Sequence, residues 1–328
     1  MQVWHDVSEI DARLASSVVT IGNFDGVHVG HRHVLRRALE LAAELDGLPV
    51  VAVTFEPHPM TVIAPARAPQ ALVTLDRRIA LLAAAGADAV LVLPFTKELA
   101  QVSAEEFVTD LVLDKLKAAG VVVGENFRFG HRAQGNLDLL TELCESAGVQ
   151  VVGLTLDGPN DTGDTAWSST YIRARLAEGD VAAAGRALGR LFTVCGVVVQ
   201  GEQRGRELGY PTANVPVATS RVAVPADGVY AGWLRRVDEA AAPWWPAAIS
   251  VGTNPTFDGT DRRVESYVLD RNDLELYGVV VEAAFVHRLR GMVRFDSVDE
   301  LVDQMRDDVD YARDLLVEPP TPVAPEGQ

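Results

Sequence analysis

The sequence predicts an α/β protein in two parts: a parallel sheet flanked by helices, then a small antiparallel β-barrel with a C-terminal helix. Three observations carry this. Short apolar runs alternate with longer amphipathic ones from residue 18 to about 187, the pattern of strands buried between helical layers. From about residue 188 the chain turns valine-rich, in short strand-like runs punctuated by turn residues. The 328 residues are 48% hydrophobic, enough for two cores. The predicted boundaries are 1–187 and 188–317, followed by a proline-rich tail, 318–328, that has little to bury and should be disordered.

In the first part, strands are predicted at Val18–Ile21, Val50–Phe55, Ala89–Leu93, Val121–Gly124 and Val149–Leu154. Helices are predicted at Arg32–Leu45, Leu75–Ala85, Ala104–Lys117, Leu137–Ala147 and Thr170–Glu178. Parallel sheets bind ligands at the carboxyl ends of their strands. The apolar run Val18–Ile21 breaks there at Gly22-Asn23, turns through Phe24-Asp25-Gly26, and delivers His28, Gly30 and His31 to the start of a helix. Free backbone N–H groups and the helix dipole make such a place an anion site. Two histidines at i and i+3 favour phosphate binding and charge stabilisation; metal ligation lacks a third ligand nearby. Phe55-Glu56-Pro57-His58-Pro59 and the stretch from Gly124 to Gly130 fall on the same edge. Ser168, Ser169 and Thr170 precede a helix, with Arg173 one turn in. That is either a capped helix or a second phosphate cradle.

In the second part, strands are predicted at Val197–Val199, Val222–Val224, Val229–Leu234, Ala247–Val251, Val264–Leu269 and Val279–Val286, and an acidic amphipathic helix at Val298–Leu316. Two constellations stand out. Between Gly201 and Asn214, the glycines let a backbone approach phosphates closely. Thr212 and Asn214 face the same way in an extended segment and offer neutral oxygens, which suit magnesium shared with phosphate oxygens. Glu265 interrupts an apolar strand. It is either a barrel-surface glutamate or, if it faces inward, a general base.

Composition narrows the classes. A formal charge of −17 argues against general nucleic-acid binding and against anionic membranes. No apolar run reaches about 18 residues, and MQVWHDVSEI lacks the plan of a signal peptide, so a cytoplasmic protein is expected. Cys144 and Cys195 have no CxxC spacing and read as buried free thiols. None of the lysines, Lys97, Lys115 and Lys117, follows GxxxxG, which excludes a Walker-type phosphate loop.

These residues carry a resemblance. The run Gly22–His31 resembles the HxGH motif of the nucleotidyltransferase superfamily with its leading GxFDGVH, and Ser168–Arg173 resembles its SSTxIR motif. With FxPHP and GxxFRFG, the first part is similar to the FAD synthetase module of bacterial bifunctional riboflavin kinase/FAD synthetases. GRxLGxPTAN, Gly252–Phe257, the VExxxLD at Val264–Asp270, Leu276-Tyr277-Gly278, Leu289-Arg290 and Phe295 resemble the riboflavin kinase domain. Leu191, Asn23 and Ser266-Tyr267 depart from the usual pattern without removing a needed chemical group.

The resemblance implies a Rossmann-like nucleotidyltransferase domain (1–187) that adenylylates FMN and a kinase barrel (188–317) that phosphorylates riboflavin. ATP, riboflavin, FMN and FAD would be substrates or products, with Mg²⁺ as cofactor. It implies catalytic roles for His28, His31, Arg173 and Glu265. Gly22, Phe24, Asp25, Gly26, Gly30, Ser168, Ser169 and Thr170 would bind ATP in the first part, and His58, Asn126 and Phe127 the flavin end. Gly201, Gly205, Arg206, Gly209 and Pro211 would bind ATP in the barrel, with Thr212 and Asn214 on the metal. The partners are then small molecules, without nucleic acid or membrane; self-association stays open. The alternatives are an HxGH adenylyltransferase for another phosphorylated substrate with a non-catalytic barrel, and a flavin-binding regulator.

Overall fold

The computed structural model describes residues 1–155, 167–201, 209–218, 220–239, 242–253 and 262–320. The chain divides into two compact units, residues 1–168 and 169–326. The expected disorder of the tail beyond residue 320 lies outside the described residues.

The first unit is built on a sheet of β1 (Gln2–Trp4), β2 (Ser17–Ile21), β3 (Val50–Glu56), β4 (Ala89–Pro94), β5 (Ala118–Gly124) and β6 (Gln150–Leu154). The order is β1-β4-β3-β2-β5-β6, with every pairing parallel. Every predicted strand is present. The three-residue edge strand β1 was not expected, because so short a run shows no period. Helix α1 (Val29–Glu44) returns the chain from β2 to β3 and buries Val34, Leu35, Ala38, Leu41 and Ala42 on one stripe. That stripe packs on Val18, Val50 and Val122. Leu35 and Leu41 are fully buried, each worth about 2 kcal/mol.

Strand residues of the opposite parity, Val19, Ile21, Val51, Val53, Val121 and Val123, face a second layer. That layer holds α5 (Leu137–Ser146) and a π-helical segment, Phe107–Lys115, that continues from the short α4 (Ala104–Glu106). Helix α2 (Pro59–Ile63) and α3 (Leu75–Ala84) lie between β3 and β4. Strand order reverses at β2, with β3 and β4 on one side and β5 and β6 on the other. The carboxyl end of β2 is thus the switch point, where a ligand crevice opens. Cys144 is buried, and burial pushes its thiol up to about 11; Cys195 is only half-buried.

The second unit begins with α6 (Ser169–Glu178) and α7 (Val181–Leu188). A six-stranded antiparallel sheet follows: β7 (Phe192–Val197), β8 (Thr212–Pro216), β9 (Gly228–Arg236), β10 (Trp245–Thr253), β11 (Arg262–Val268) and β12 (Val280–Arg290). Its order is β7-β12-β9-β10-β11-β8. The last strand meets the first through a bridge in which the Val199 N–H donates to the Asn214 carbonyl at 2.9 Å. The sheet therefore curls round to a half-barrel, joined at this bridge among the described residues. Helices α6 and α7 attach to it: Ala226 N–H donates to Leu176 O, and Arg288 bonds the carbonyls of Glu178 and Asp227.

Two expectations fail. Val222–Val224 is not a strand, because the Ser220 hydroxyl takes both the N–H and the C=O of Val222 and Pro225 follows without an N–H. Val197–Val199 is not a strand of its own; Val197 ends β7 and Val199 makes the bridge. Helix α8 (Val298–Leu315) is capped by Ser297 and lies on the outer face of the barrel, Val309 and Ala312 packing with Ala231, Trp233 and Ala284. Arg290 clamps it, donating to both carboxylate oxygens of Asp308 at 2.7–3.0 Å. Asp308→Ala strands that guanidinium against the helix. It should cost about 2–3 kcal/mol and lower the barrel's thermal-unfolding midpoint, followed by tryptophan fluorescence.

Candidate active sites

The turn after β2 is held in a conformation side chains rarely adopt. Phe24, Gly26 and Val27 all have positive φ (46°, 84° and 38°); for a β-branched residue this is an outlier that the surroundings must enforce. They do so with the Gly22 N–H on Val53 O at 3.0 Å, the Val27 N–H on Phe24 O at 3.0 Å, and the Leu72 N–H on the buried Asp25 carboxylate at 2.8 Å. Asp25 thus has a visible structural task. Phe24, also buried, sets its ring edge against His31, centroids 5.2 Å apart.

Helix α1 starts earlier than predicted because His28 takes the N-cap. Its Nδ1 accepts the His31 N–H at 3.4 Å. The rings of His28 and His31 stack at 3.6 Å with 23° between planes. Gly30 is the residue that permits this: a methyl group there would stand 3.1 Å from His28 Cε1 and 3.4 Å from the Trp167 carbonyl. The same contact brings the chain just ahead of Ser168 to the histidine turn. Ser168 is half-buried in the first unit; Ser169 and Arg173, half-buried, and Thr170, exposed, lie on α6 in the second. The first turn of α1 holds no acidic residue, and burial depresses the guanidinium of its Arg32.

Of the expected flavin contacts, His58 caps α2, its Nδ1 accepting the Met60 N–H at 3.2 Å. Its Nε2 lies 3.5 Å from the Asn23 amide. Asn126 is exposed in the turn after β5, and Phe127 stacks on Phe129, centroids 5.3 Å apart. Thr54 and Arg78 were not expected here. Thr54 Oγ1 donates to the Asn23 carbonyl at 3.0 Å and accepts from Arg78 Nη1 at 3.3 Å. The sequence signal was two adjacent arginines, Arg77 and Arg78, at the start of a helix that is apolar from Ile79 on; both are buried.

In the barrel, Thr212, Asn214 and Glu265 share one face. Asn214 and Glu265 are direct cross-strand partners, and Asn214 Nδ2 donates to Thr212 Oγ1 at 3.0 Å. The inward orientation considered for Glu265 is not what the fold gives. Val264, Ser266 and Val268 turn to the packed interior, and Glu265, half-buried, faces outward between them. Tyr267 follows on that face, edge-on to Tyr210 at 5.1 Å, its phenol pushed up first by burial and then by Asp270 and Tyr210. Gly201 leaves room for the buried Asn214 amide; a methyl there would meet Nδ2 at 2.7 Å. Gly209 is exposed with φ 87°, and Pro211 is half-buried. Gly205 and Arg206 lie outside the described residues, as does Asn254 to Phe257.

A strand-to-helix turn of this build, at the switch point of a parallel sheet, places the first unit among nucleotide-binding α/β proteins of the HxGH type. It is joined to a barrel that sets two neutral oxygen donors beside a carboxylate. The family model for FAD synthetase matches residues 10–170, and that for riboflavin kinase matches residues 188–316. The chain is 35% identical to the bifunctional riboflavin kinase/FMN adenylyltransferase of Escherichia coli strain K12, over 95% of this chain and 96% of that one. It is 37% identical to the Pseudomonas fluorescens protein of the same description, over 96% and 98%. Its fold matches a crystal structure described as a macrolide-efflux protein from Streptococcus pneumoniae, with a TM-score of 0.83 and 32% identity over 95% and 98% of the chains. The chain belongs to the bifunctional riboflavin kinase/FMN adenylyltransferase family.

The cap geometry makes a prediction. The His28 ring, whose Nδ1 accepts a backbone N–H, carries a proton on Nε2. Its ¹⁵N shifts at neutral pH should show a protonated Nε2 and a bare Nδ1, and Gly30→Ala should erase that pattern.

Proposed function

We propose that residues 1–187 carry FMN adenylylation and residues 188–317 riboflavin phosphorylation, at separate sites. The protein itself is an enzyme of flavin cofactor synthesis: it phosphorylates riboflavin to FMN with ATP and transfers AMP from ATP to FMN, giving FAD and pyrophosphate. Both halves have their own family match, which weighs against a merely binding barrel. No helix of the described residues is long and apolar enough to cross a membrane.

The observation that carries the first site is the stacked pair His28–His31 at the N-terminus of α1. An FMN phosphate oxygen attacks the α-phosphorus of ATP; the bond to the β-phosphate oxygen breaks and pyrophosphate leaves. The nucleophile is already ionised, so the work is to bring anions together and neutralise developing charge. His28 donates a hydrogen bond from Nε2 to a phosphate oxygen. His31 and Ser168 supply further donors, and Gly22, Phe24, Asp25, Gly26 and Gly30 shape the turn around the nucleotide; Ser169, Thr170 and Arg173 are assigned to ATP by the SSTxIR motif they belong to. His58, Asn126 and Phe127 face the flavin end.

In the barrel, Glu265 takes the proton of the ribityl 5′-hydroxyl as that oxygen attacks the γ-phosphorus and ADP leaves. Its outward, half-buried position suits a base that must meet a substrate. The donor set fits magnesium: Thr212 Oγ1 and Asn214 Oδ1 are neutral, hard oxygens, and the Gly201 cradle leaves the amide uncrowded. When bound, the ion neutralises nucleotide phosphate charge. Gly201, Gly209 and Pro211, with Gly205 and Arg206, border the ATP.

Two variants separate the sites. His28→Ala with His31→Ala should lower FAD formation from FMN at least ~100-fold and leave FMN formation from riboflavin intact. Glu265→Ala should do the reverse, as read by separating riboflavin, FMN and FAD after incubation with ATP and Mg²⁺. Loss of both activities from either change, in a folded protein, would refute separate sites. Chelation by excess EDTA should abolish riboflavin phosphorylation, and added Mg²⁺ should restore it; Thr212→Val should raise the Mg²⁺ concentration required.

A further inference from the structure

We infer that Thr54 and Arg78 are positioning residues for adenylyl transfer: they fix the Asn23 carbonyl and thereby hold the left-handed turn that aims His28 and His31. The inference rests on the catalytic reading of those histidines.

Arg78 reaches from α3 to the carboxyl ends of the central strands. It is 3% exposed, and Thr54 is fully buried. Arg78 Nη1 donates to Thr54 Oγ1 at 3.3 Å and to the Phe55 carbonyl at 2.9 Å, and Nη2 lies 3.4 Å from the Glu56 carboxylate. A guanidinium can only donate. The Thr54 hydroxyl must therefore accept from it, which commits the single hydroxyl proton to Asn23 O, 3.0 Å away. Asn23 is where β2 gives way to the turn, and the next four residues contain its positive φ angles. Rotation of the peptide after Asn23 would change Phe24 directly. The Asn23 side chain in turn touches His58, so one polar path runs from α3 through β3 to both the histidine turn and the α2 cap.

A buried cation is expensive unless paired and hydrogen-bonded. At a buried position of this helix, leucine would serve packing alone. What Arg78 adds is direction: it polarises one hydroxyl toward one carbonyl. A turn that strained relaxes when a restraint is removed, and sub-ångström displacement of catalytic groups costs rate more than binding.

The test uses full-length Thr54→Val, which keeps the side-chain shape, with Thr54→Ser, Arg78→Met and the double variant, and His28→Ala as reference. FAD formation from FMN and FMN formation from riboflavin are both measured. We expect Thr54→Val to lower kcat for FAD formation at least ~10-fold with KM for ATP and FMN within about twofold. Thr54→Ser should recover to within about threefold of the wild type, and the double variant should be no worse than its worse parent by more than about twofold. Riboflavin phosphorylation should be unchanged throughout. Near-normal kcat in Thr54→Val alongside an inactive His28→Ala overturns the inference and leaves the histidines standing. An active His28→Ala overturns the reading of the site itself. An effect confined to KM, failure of Thr54→Ser to recover, additive losses in the double variant, or loss of riboflavin phosphorylation in Thr54→Val would show a binding or packing role and also overturn it.

Discussion

The hydrogen bond from the His31 N–H to His28 Nδ1 is the interaction on which the first site depends. A histidine at the N-cap does what serine or aspartate does elsewhere, and it commits one ring nitrogen to the backbone. The remaining features are conditions for that bond. The cap needs an extended backbone at His28, which the left-handed Phe24–Val27 segment feeds. The ring needs Gly30 to have no side chain. The segment needs its carbonyl and carboxylate fastened from outside, by Thr54 and by the Leu72 N–H. Strain of this kind costs on the order of 1–3 kcal/mol per residue, and it is borne at the one turn where ligand geometry matters.

The barrel solves a different problem. Its reactive groups sit on regular strands, so no strained turn is required. Pairing Asn214 directly with Glu265 brings amide and carboxylate to one face with no more than the two-residue alternation of a strand. The cost appears at closure, where, among the described residues, β7 and β8 are joined through the isolated bridge Val199–Asn214. The buried Asn214 thus serves twice, its backbone completing the ring and its side chain bonding Thr212.

Legibility in the sequence follows the range of the forces involved. Strands β2, β3 and β4 and helices α1, α3, α5 and α8 announce themselves because each buries one face, and burial imposes a period. Val222–Val224 has the composition of a strand, yet a serine and a proline on its flanks decide otherwise. The histidines, the hydroxyl run and the Thr-Asn pair are local motifs and could be read directly. The outward face of Glu265 depends on which parity of β11 meets Ile249 and Val251, a tertiary fact. Thr54 and Arg78 are less visible still. They act across three elements, and a threonine in a valine-rich strand looks like another β-former. The attachment of α6 and α7 to the barrel likewise rests on Arg288 and Ala226, some 50 to 110 positions away.

Net charge ties the two sites together. A chain carrying −17 must admit polyanions to both. Helices α3, α5 and α8 take carboxylates in their first turns, as Asp76, Asp138, and Asp299 and Glu300. That is the ordinary way to stabilise a helix dipole. Helix α1 has no acidic residue in its first turn and is capped by an imidazole, so no carboxylate of that turn opposes an incoming phosphate. In the barrel the residues suited to the metal are threonine and asparagine, so the cation keeps its charge for the nucleotide. The carboxylate on that face is Glu265, the residue proposed to take a proton. Local removal of negative charge, more than accumulation of lysine, is what lets so acidic a chain handle ATP, FMN and pyrophosphate.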